Sequence, residues 1–406
     1  MTENPIYILA ILSLSVALAE WLVRKSFLRH LGSALLVIVI AAMFANTGVI
    51  PAYQPGIEIY DGLMSFGVYV GVFWLLLLVK LTELKRAGGP MLILFATGAI
   101  GTITGVVVGM WVIDGSETIG EHWRAIGGMF VGTYTGGSAN LNILAAEYGV
   151  TTQGALYVGV NAVDAILTTF YMIATIAIPR ALWRLIPNRS VRRVSKDASG
   201  SEALEADLAS ETESVHPFDL AILLALGAGA YWLSGVMTES ISRVLTEAFG
   251  SVGDSGQVNP IKIPKAIVIT TLALVMAQIP AVGRLRGVRV LGMFAVMLFL
   301  AVIGCLCDLE ALAELGDLSV TLSIFAAVVI TVHALVVFGV SWLFRLDWDM
   351  AAVASQANVG GGTTAIALAR SLGRPDLVLP GILIGSCGTA SGTYLGYLAI
   401  EFLLKS

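Results

Sequence analysis

The stretches GGSANLNILAAEYG, Gly136 to Gly149, and GGGTTAIALARSLG, Gly360 to Gly373, decide how this chain is read. They align without a gap, and Gly136, Gly137, Leu144, Ala145 and Gly149 of the first recur at the matching positions of the second. Each belongs to an apolar segment, 124–149 or 349–373, interrupted by Gly136-Gly137 or by Gly360-Gly361-Gly362. Such a segment either crosses a bilayer as a broken helix or turns back as a hairpin, and the surrounding sequence decides between the two.

The surroundings are those of a membrane protein. Of the 406 residues 57% are hydrophobic and 13% charged, with a mean hydropathy of +0.87, whereas soluble domains carry about 25% charged residues. Apolar runs at 5–22, 31–49, 62–79, 90–113, 154–179, 217–236, 265–282, 290–306, 318–343 and 376–402 can each cross about 30 Å of hydrocarbon. A net charge of -5, with no basic cluster outside the loops, excludes nucleic acid as a partner. Cys305, Cys307 and Cys387 sit in apolar runs without metal-type spacing to the histidines, so they read as small core residues. No cofactor is expected beyond a Na+ coupling ion. The leader Met1-Thr2-Glu3-Asn4 lacks the positive charge of a signal peptide, which makes the first run an uncleaved span.

Lys and Arg accumulate in cytoplasmic loops. If both interrupted segments turn back and both termini are outside, only Arg124, Arg243, Lys262, Lys265 and Lys405 are left on the outer side; if both segments cross, the basic residues divide evenly. The hairpin reading is therefore the expected one. An arm of about twelve residues, at about 1.5 Å each, carries the glycines just past the midplane, where irregular backbone survives only against protein or a water-filled cavity.

Each half then has five spans and one hairpin, and an odd number of crossings turns the second half upside down. The expected fold is an all-α polytopic membrane protein of about ten transmembrane helices in two inverted five-helix halves, 1–180 and 217–406. A cytoplasmic linker, 181–216, joins them, and its stretch 195–215 has the polar, acidic, aromatic-free composition of a disordered segment. Residues 237–250 read as a separate amphipathic helix in the outer interface. The expected partners are the lipid bilayer and a small-molecule substrate, with a homodimer left open.

At a hairpin tip the second arm begins with free N–H groups and the positive end of its dipole, which attract an anion that glycine allows to approach closely. Gly136, Gly137, Ser138, Asn140, Asn358, Gly360, Gly361, Gly362 and Thr363 are accordingly the expected substrate-binding residues. The first arms end in free carbonyls suited to Na+, and Asp164, Asn161, Thr135, Ser386 and Thr389 form the expected cation-coupling set. The plainer alternative gives the glycines only tight turns and helix packing. Asp164 lies ten residues into its span on one face with Asn161, Thr168 and Tyr171. A carboxylate at that depth is costly, so it serves either Na+ or H+ coupling or a structural bond to His333 or to a backbone group. The stripes Gly98-Gly101-Gly105-Gly109 and Gly381-Gly385-Gly388-Gly392-Gly396 read as close helix packing.

Through TGGSAN (Thr135 to Asn140) and SQANVGG (Ser355 to Gly361) the chain resembles, over nearly its full length, the YjcL-like family of uncharacterised bacterial membrane proteins. More distantly, by architecture, it is similar to the glutamate-sodium symporters and the citrate-sodium (2-hydroxycarboxylate) transporters. The resemblance implies a multi-pass protein of the bacterial inner membrane. It also implies tips that hold a carboxylate and Na+ around Gly136, Gly137, Ser138, Asn140, Gly360, Gly361, Gly362 and Thr363; unlike those transporters, this chain has no arginine at either tip. The expected function is a secondary active transporter, Na+ or H+ coupled, for a small anionic or zwitterionic solute such as an amino acid, short peptide or carboxylate, and not an enzyme. The alternatives are a channel or facilitator, or an intramembrane hydrolase built on Asp164, His333 and Ser391.

Overall fold

The computed structural model describes residues 4–25, 32–53, 57–185, 215–249, 263–306 and 316–404, and among them every regular element is helical. The helices are α1 (Pro5–Lys25), α2 (Gly32–Asn46), α3 (Glu58–Leu76, with a π turn at Leu63–Gly67), α4 (Gly89–Val112), α5 (Trp123–Gly136), α6 (Ser138–Glu147) and α7 (Gly154–Leu185). They continue with α8 (Pro217–Phe249), α9 (Lys265–Ala277), α10 (Val288–Leu306), α11 (Gly316–Leu343), α12 (Trp348–Val359), α13 (Gly361–Ser371) and α14 (Val378–Leu398). Seven of them, α1, α3, α4, α7, α8, α10 and α11, are long and apolar enough to cross a membrane. The expected spans at 31–49 and 265–282 are shorter helices, α2 and α9.

Two boundaries differ from expectation. The first half does not stop at 180, because α7 runs on through Pro179 to Leu185. Residues 237–249 are not a separate helix but the end of α8. That stretch contains no Gly or Pro before Phe249, and extending a formed helix costs less than nucleating a new one. The expected linker stretch 195–215, apart from its last residue, lies outside the described residues.

The interrupted segments fold back on themselves. A Cβ built on Gly132 of α5 would lie 2.8 Å from Leu144 Cδ1 and 3.3 Å from Asn140 Cβ of α6, which only side-by-side arms allow. Likewise Gly381 faces Val353 of α12 and Ala365 of α13 together, at 3.1 and 3.3 Å. Gly137, at φ +91°, and Gly361, at φ +78°, occupy the turns in backbone conformations that side-chain-bearing residues rarely adopt.

Polar contacts sort the connections onto two faces. On one, the Tyr7 hydroxyl donates to Val49 O, Tyr53 N–H to Cys305 O, and Tyr148 to Glu401, while Glu147 accepts from the first N–H groups of α9. On the other, Gln278 bridges Val79 and Leu81, Val215 lies against Gly287, and the Trp183 indole donates to Asp349. The arms α5 and α6 leave and rejoin the first face, since Gly127 and Tyr148 both lie beside residues 401–404. The arms α12 and α13 leave and rejoin the second, where Arg374 pairs with Asp347 at 2.9 Å.

Small residues set the helix packing. Along α4, Gly98 and Gly101 receive His333, Gly105 receives Val329 and Gly109 receives Phe325, all from α11. Along α14, Gly385 meets Gly361 and Gly362, Gly388 meets Thr135 and Gly136, Gly392 meets Gly132 and Asn140, and Gly396 meets Gly128 and Leu144. Both hairpins therefore rest on one glycine stripe. Without a hydrophobic drive between helices in lipid, such backbone approach is the main source of packing energy.

Candidate functional site

The polar groups of both hairpins converge on α7. Asp164, 4% exposed, accepts from Ser138 Oγ at 3.1 Å and from Thr133 Oγ1 at 3.3 and 3.5 Å, so its carboxylate lies against the first turn. No basic side chain pairs with it among the described residues. Two turns further along the same helix, the Tyr171 hydroxyl bonds Ser355 of α12, and Thr175 donates to Gln356 Oε1 at 3.2 Å. One helix therefore touches the first hairpin through a carboxylate and the second through hydroxyls.

His333 is not the partner of Asp164. Its Nδ1 lies 2.9 Å from Gly98 O and 2.9 Å from Thr102 Oγ1, and its Nε2 lies 2.9 Å from Ser355 Oγ. A carbonyl only accepts, so Nδ1 carries the proton. In the neutral ring Nε2 then accepts from Ser355, whose oxygen in turn accepts from Tyr171. Thr102 sends its own proton to Tyr134 O, at 2.9 Å. Fully buried, His333 thus ties the first arms of both hairpins together across the α4–α11 contact. The residue that sequence reading missed is Thr102; its signal was a hydroxyl inside the Gly98–Gly109 stripe. The Ser391 hydroxyl bonds back to its own helix at Cys387 O, away from the His333 network.

Several wholly buried polar atoms at the tips have no partner: Thr135 Oγ1, a hydroxyl that can donate or accept, Asn358 Oδ1, which can only accept from a donor or cation, and the donors Asn140 Nδ2 and Gln356 Nε2. The other ends of these amides are fixed. Asn140 Oδ1 takes the Thr393 hydroxyl at 2.7 Å, and Asn358 Nδ2 donates to Phe95 O and Ala354 O. Buried polar groups are normally satisfied; among the described residues the exceptions at the two breaks, which also include the Tyr134 hydroxyl, outnumber those elsewhere, on His122, Thr238 and Thr270.

The expected substrate residues divide by exposure. Ser138 and Thr363 are exposed and Gly137, Gly360 and Gly362 half-buried, whereas Gly136, Asn140, Asn358 and Gly361 are packed inside. The expected cation set also divides. Asn161 lies one turn before Asp164 and donates to Tyr157 O. Thr389 instead donates to Gly136 O on the α14 side, and Ser386 bonds back to Ile382 O. Thr135 has the unpartnered oxygen described above.

Fold and site together define a multi-pass α-helical membrane protein with two glycine-broken helical hairpins on one helix, α7, which meets the first through a buried carboxylate and the second through hydroxyls. The chain belongs to the family described as protein of unknown function (DUF819), whose model matches residues 7–406. It is also similar to the uncharacterized membrane protein YjcL of Bacillus subtilis (strain 168), at 26% identity over 379 residues that cover 92% of this chain and 90% of the relative.

Proposed function

We propose that the chain is a secondary active transporter, coupled to Na+ or H+, for a small anionic or zwitterionic solute such as an amino acid, short peptide or carboxylate. The observation that carries this reading is the set of unpartnered buried donors and acceptors at two helix breaks, the first of which abuts Asp164, a carboxylate with no basic partner among the described residues. A bound ion and solute would satisfy those atoms. Discontinuous helices whose ends face one site are how transporters coordinate ions in the membrane interior.

The helix pairings support an inverted repeat. α1 packs on α2 and α10, and α8 packs on α9 and α3. α2 packs on α10 and α7, as α9 does on α3 and α14. α5 packs on α14 as α12 does on α7, and α3–α10 and α4–α11 each join a helix to its own counterpart. In this reading ten helices cross the membrane, the hairpins re-enter from opposite sides, and both termini are outside.

The test is uptake into proteoliposomes of labelled amino acids, short peptides and carboxylates, with and without a Na+ or H+ gradient. Accumulation above the equilibrium level under one gradient is expected. Equilibration that never exceeds the external concentration would make the protein a facilitator, and no flux across the panel would end the transport reading.

A further inference from the structure

Away from the hairpins, a cavity of about 320 Å³ opens between the α3–α4 and α9–α10 connections, with Lys80, Thr82, Gln278, Ile279, Gly283 and Arg284 in its wall. Its frame is fixed by one side chain. Gln278 accepts from Leu81 N at 3.1 Å and donates to Val79 O at 3.0 Å and Leu274 O at 2.9 Å, stapling the two connections together. The Lys80 stem lies over Gly283, where an added Cβ would be 3.5 Å from Lys80 Cε and 3.8 Å from Nζ, so its ammonium sits beside the residue that precedes Arg284. Among the described residues no carboxylate makes an ion pair with Lys80 or Arg284. Two exposed cations thus line one cavity, and neither has a carboxylate partner among the described residues.

The position of the cavity names the anion. It lies just past Leu76 and Ala277, the last residues of two apolar helices, which is the depth of lipid headgroups. Apolar side chains are exposed at and beside it: Ile279 in its wall is 46% exposed, and Leu78 and Leu81, which flank Lys80 in the chain, are 40% and 39% exposed. Paired cations beside exposed apolar side chains at that depth fit a phosphate that carries acyl chains, and basic pockets between membrane helices take anionic headgroups in this way. We infer that the Lys80–Arg284 cavity binds the headgroup phosphate of an anionic phospholipid.

Native mass spectrometry of the full chain in neutral detergent, titrated with phosphatidylglycerol, tests this. Lys80→Gln/Arg284→Gln should weaken retention of the lipid at least tenfold, whereas Lys85→Gln/Arg86→Gln, which removes equal charge from the same connection outside the cavity, should change it less than twofold. Melting temperature without lipid should be the same for both variants, which separates a binding defect from misfolding. Equal losses in the two variants would reduce the effect to general surface charge and overturn the site. Inorganic phosphate that displaces the lipid at similar concentration would overturn the lipid assignment, as would equal retention of phosphatidylcholine.

Discussion

The helices α7 and α14 both touch both hairpins, yet they do so by different means. α14 meets them mainly with glycine, backbone against backbone, from Gly385 to Gly396, and adds the Thr389 and Thr393 hydroxyls on the first hairpin only. α7 meets them with side-chain oxygens, Asp164 on one hairpin and Tyr171 and Thr175 on the other. Close-packed backbone has no alternative arrangement of similar energy. A hydroxyl or carboxylate can exchange its partner for an ion or a solute at little cost. The difference places the rigid support of the hairpins on α14 and the exchangeable contacts on α7.

The largest expected effect lies where α7 reaches the base of the second hairpin. Arg374, 5% exposed, binds Asp347 at 2.9 Å, Asp349 at 3.1 Å and Asp376 at 2.7 Å, and Asp349 also takes the Trp183 indole of α7. Asp347 in turn caps α12 by accepting from Asp349 N and Met350 N. Arg374→Met leaves three crowded carboxylates without their cation, and breaking a buried pair in this way costs about 3–5 kcal/mol. Thermal unfolding in detergent should show it as a large fall in midpoint. A shift no larger than that of Arg86→Gln, at an exposed pair 3.8 Å apart, would mean that the base does not hold the hairpin.

Next in size is the glycine support itself. A Cβ on Gly388 would run into Thr135 O and lie 3.0 Å from Gly136 Cα, so neither helix can yield by rotating a side chain. Gly388→Ala should cost about 3 kcal/mol, the upper part of the overpacking range. Gly339, with nothing near its Cβ position, should accept alanine with no loss and serves as the control. Equal tolerance at the two positions would remove the distinction between α14 and an ordinary span.

Much of this was legible before the structure. Hydropathy located the apolar helices, because that signal is local, and the paired glycines marked where α5 gives way to α6 and α12 to α13. Asp164 stood out because a carboxylate is rare at that depth. Its partner Ser138 lies in the motif that was read and Thr133 just before it, but their approach depends on how α5 packs, which periodicity does not encode. The pairing of Asp164 with His333 was one of the readings left open, and the structure gives His333 to Ser355, Thr102 and Gly98 instead. The Arg374 cluster was missed although Asp347 and Arg374 flank the segment expected to turn back, because which carboxylates one arginine gathers at the base depends on side-chain packing.

On α7, the expected change is functional rather than structural. Asp164→Asn keeps an oxygen for Ser138 or Thr133 and so should move the melting point little. It removes a charge-assisted ligand worth about 1.5–3 kcal/mol, equivalent to a 10- to 100-fold rise in the ion concentration that half-saturates uptake. Combined with His333→Gln, the stability changes should add to within about 0.5 kcal/mol, as for groups that share no partner. Wild-type ion dependence in a folded Asp164→Asn protein would remove the coupling role.

The smallest effect probes the direction of the hydrogen bonds between α7 and the second hairpin. If Nδ1 of His333 donates to Gly98 O, the order runs from Tyr171 to Ser355 to Nε2, and Ser355 is both donor and acceptor while Tyr171 is only a donor. Ser355→Ala then strands a buried imidazole nitrogen and a buried phenol, a cost of about 2–3 kcal/mol, whereas Tyr171→Phe takes away one donor and leaves the Ser355–His333 bond intact, a cost of about 1 kcal/mol. The double variant should cost less than the two singles added, because the phenol that Ser355→Ala strands is no longer present. Chemical or thermal unfolding of the three variants measures this directly. If Tyr171→Phe proves as costly as Ser355→Ala, the serine proton points to the tyrosine, Nε2 carries a proton of its own, and His333 is a charged clamp between the hairpins rather than a neutral one.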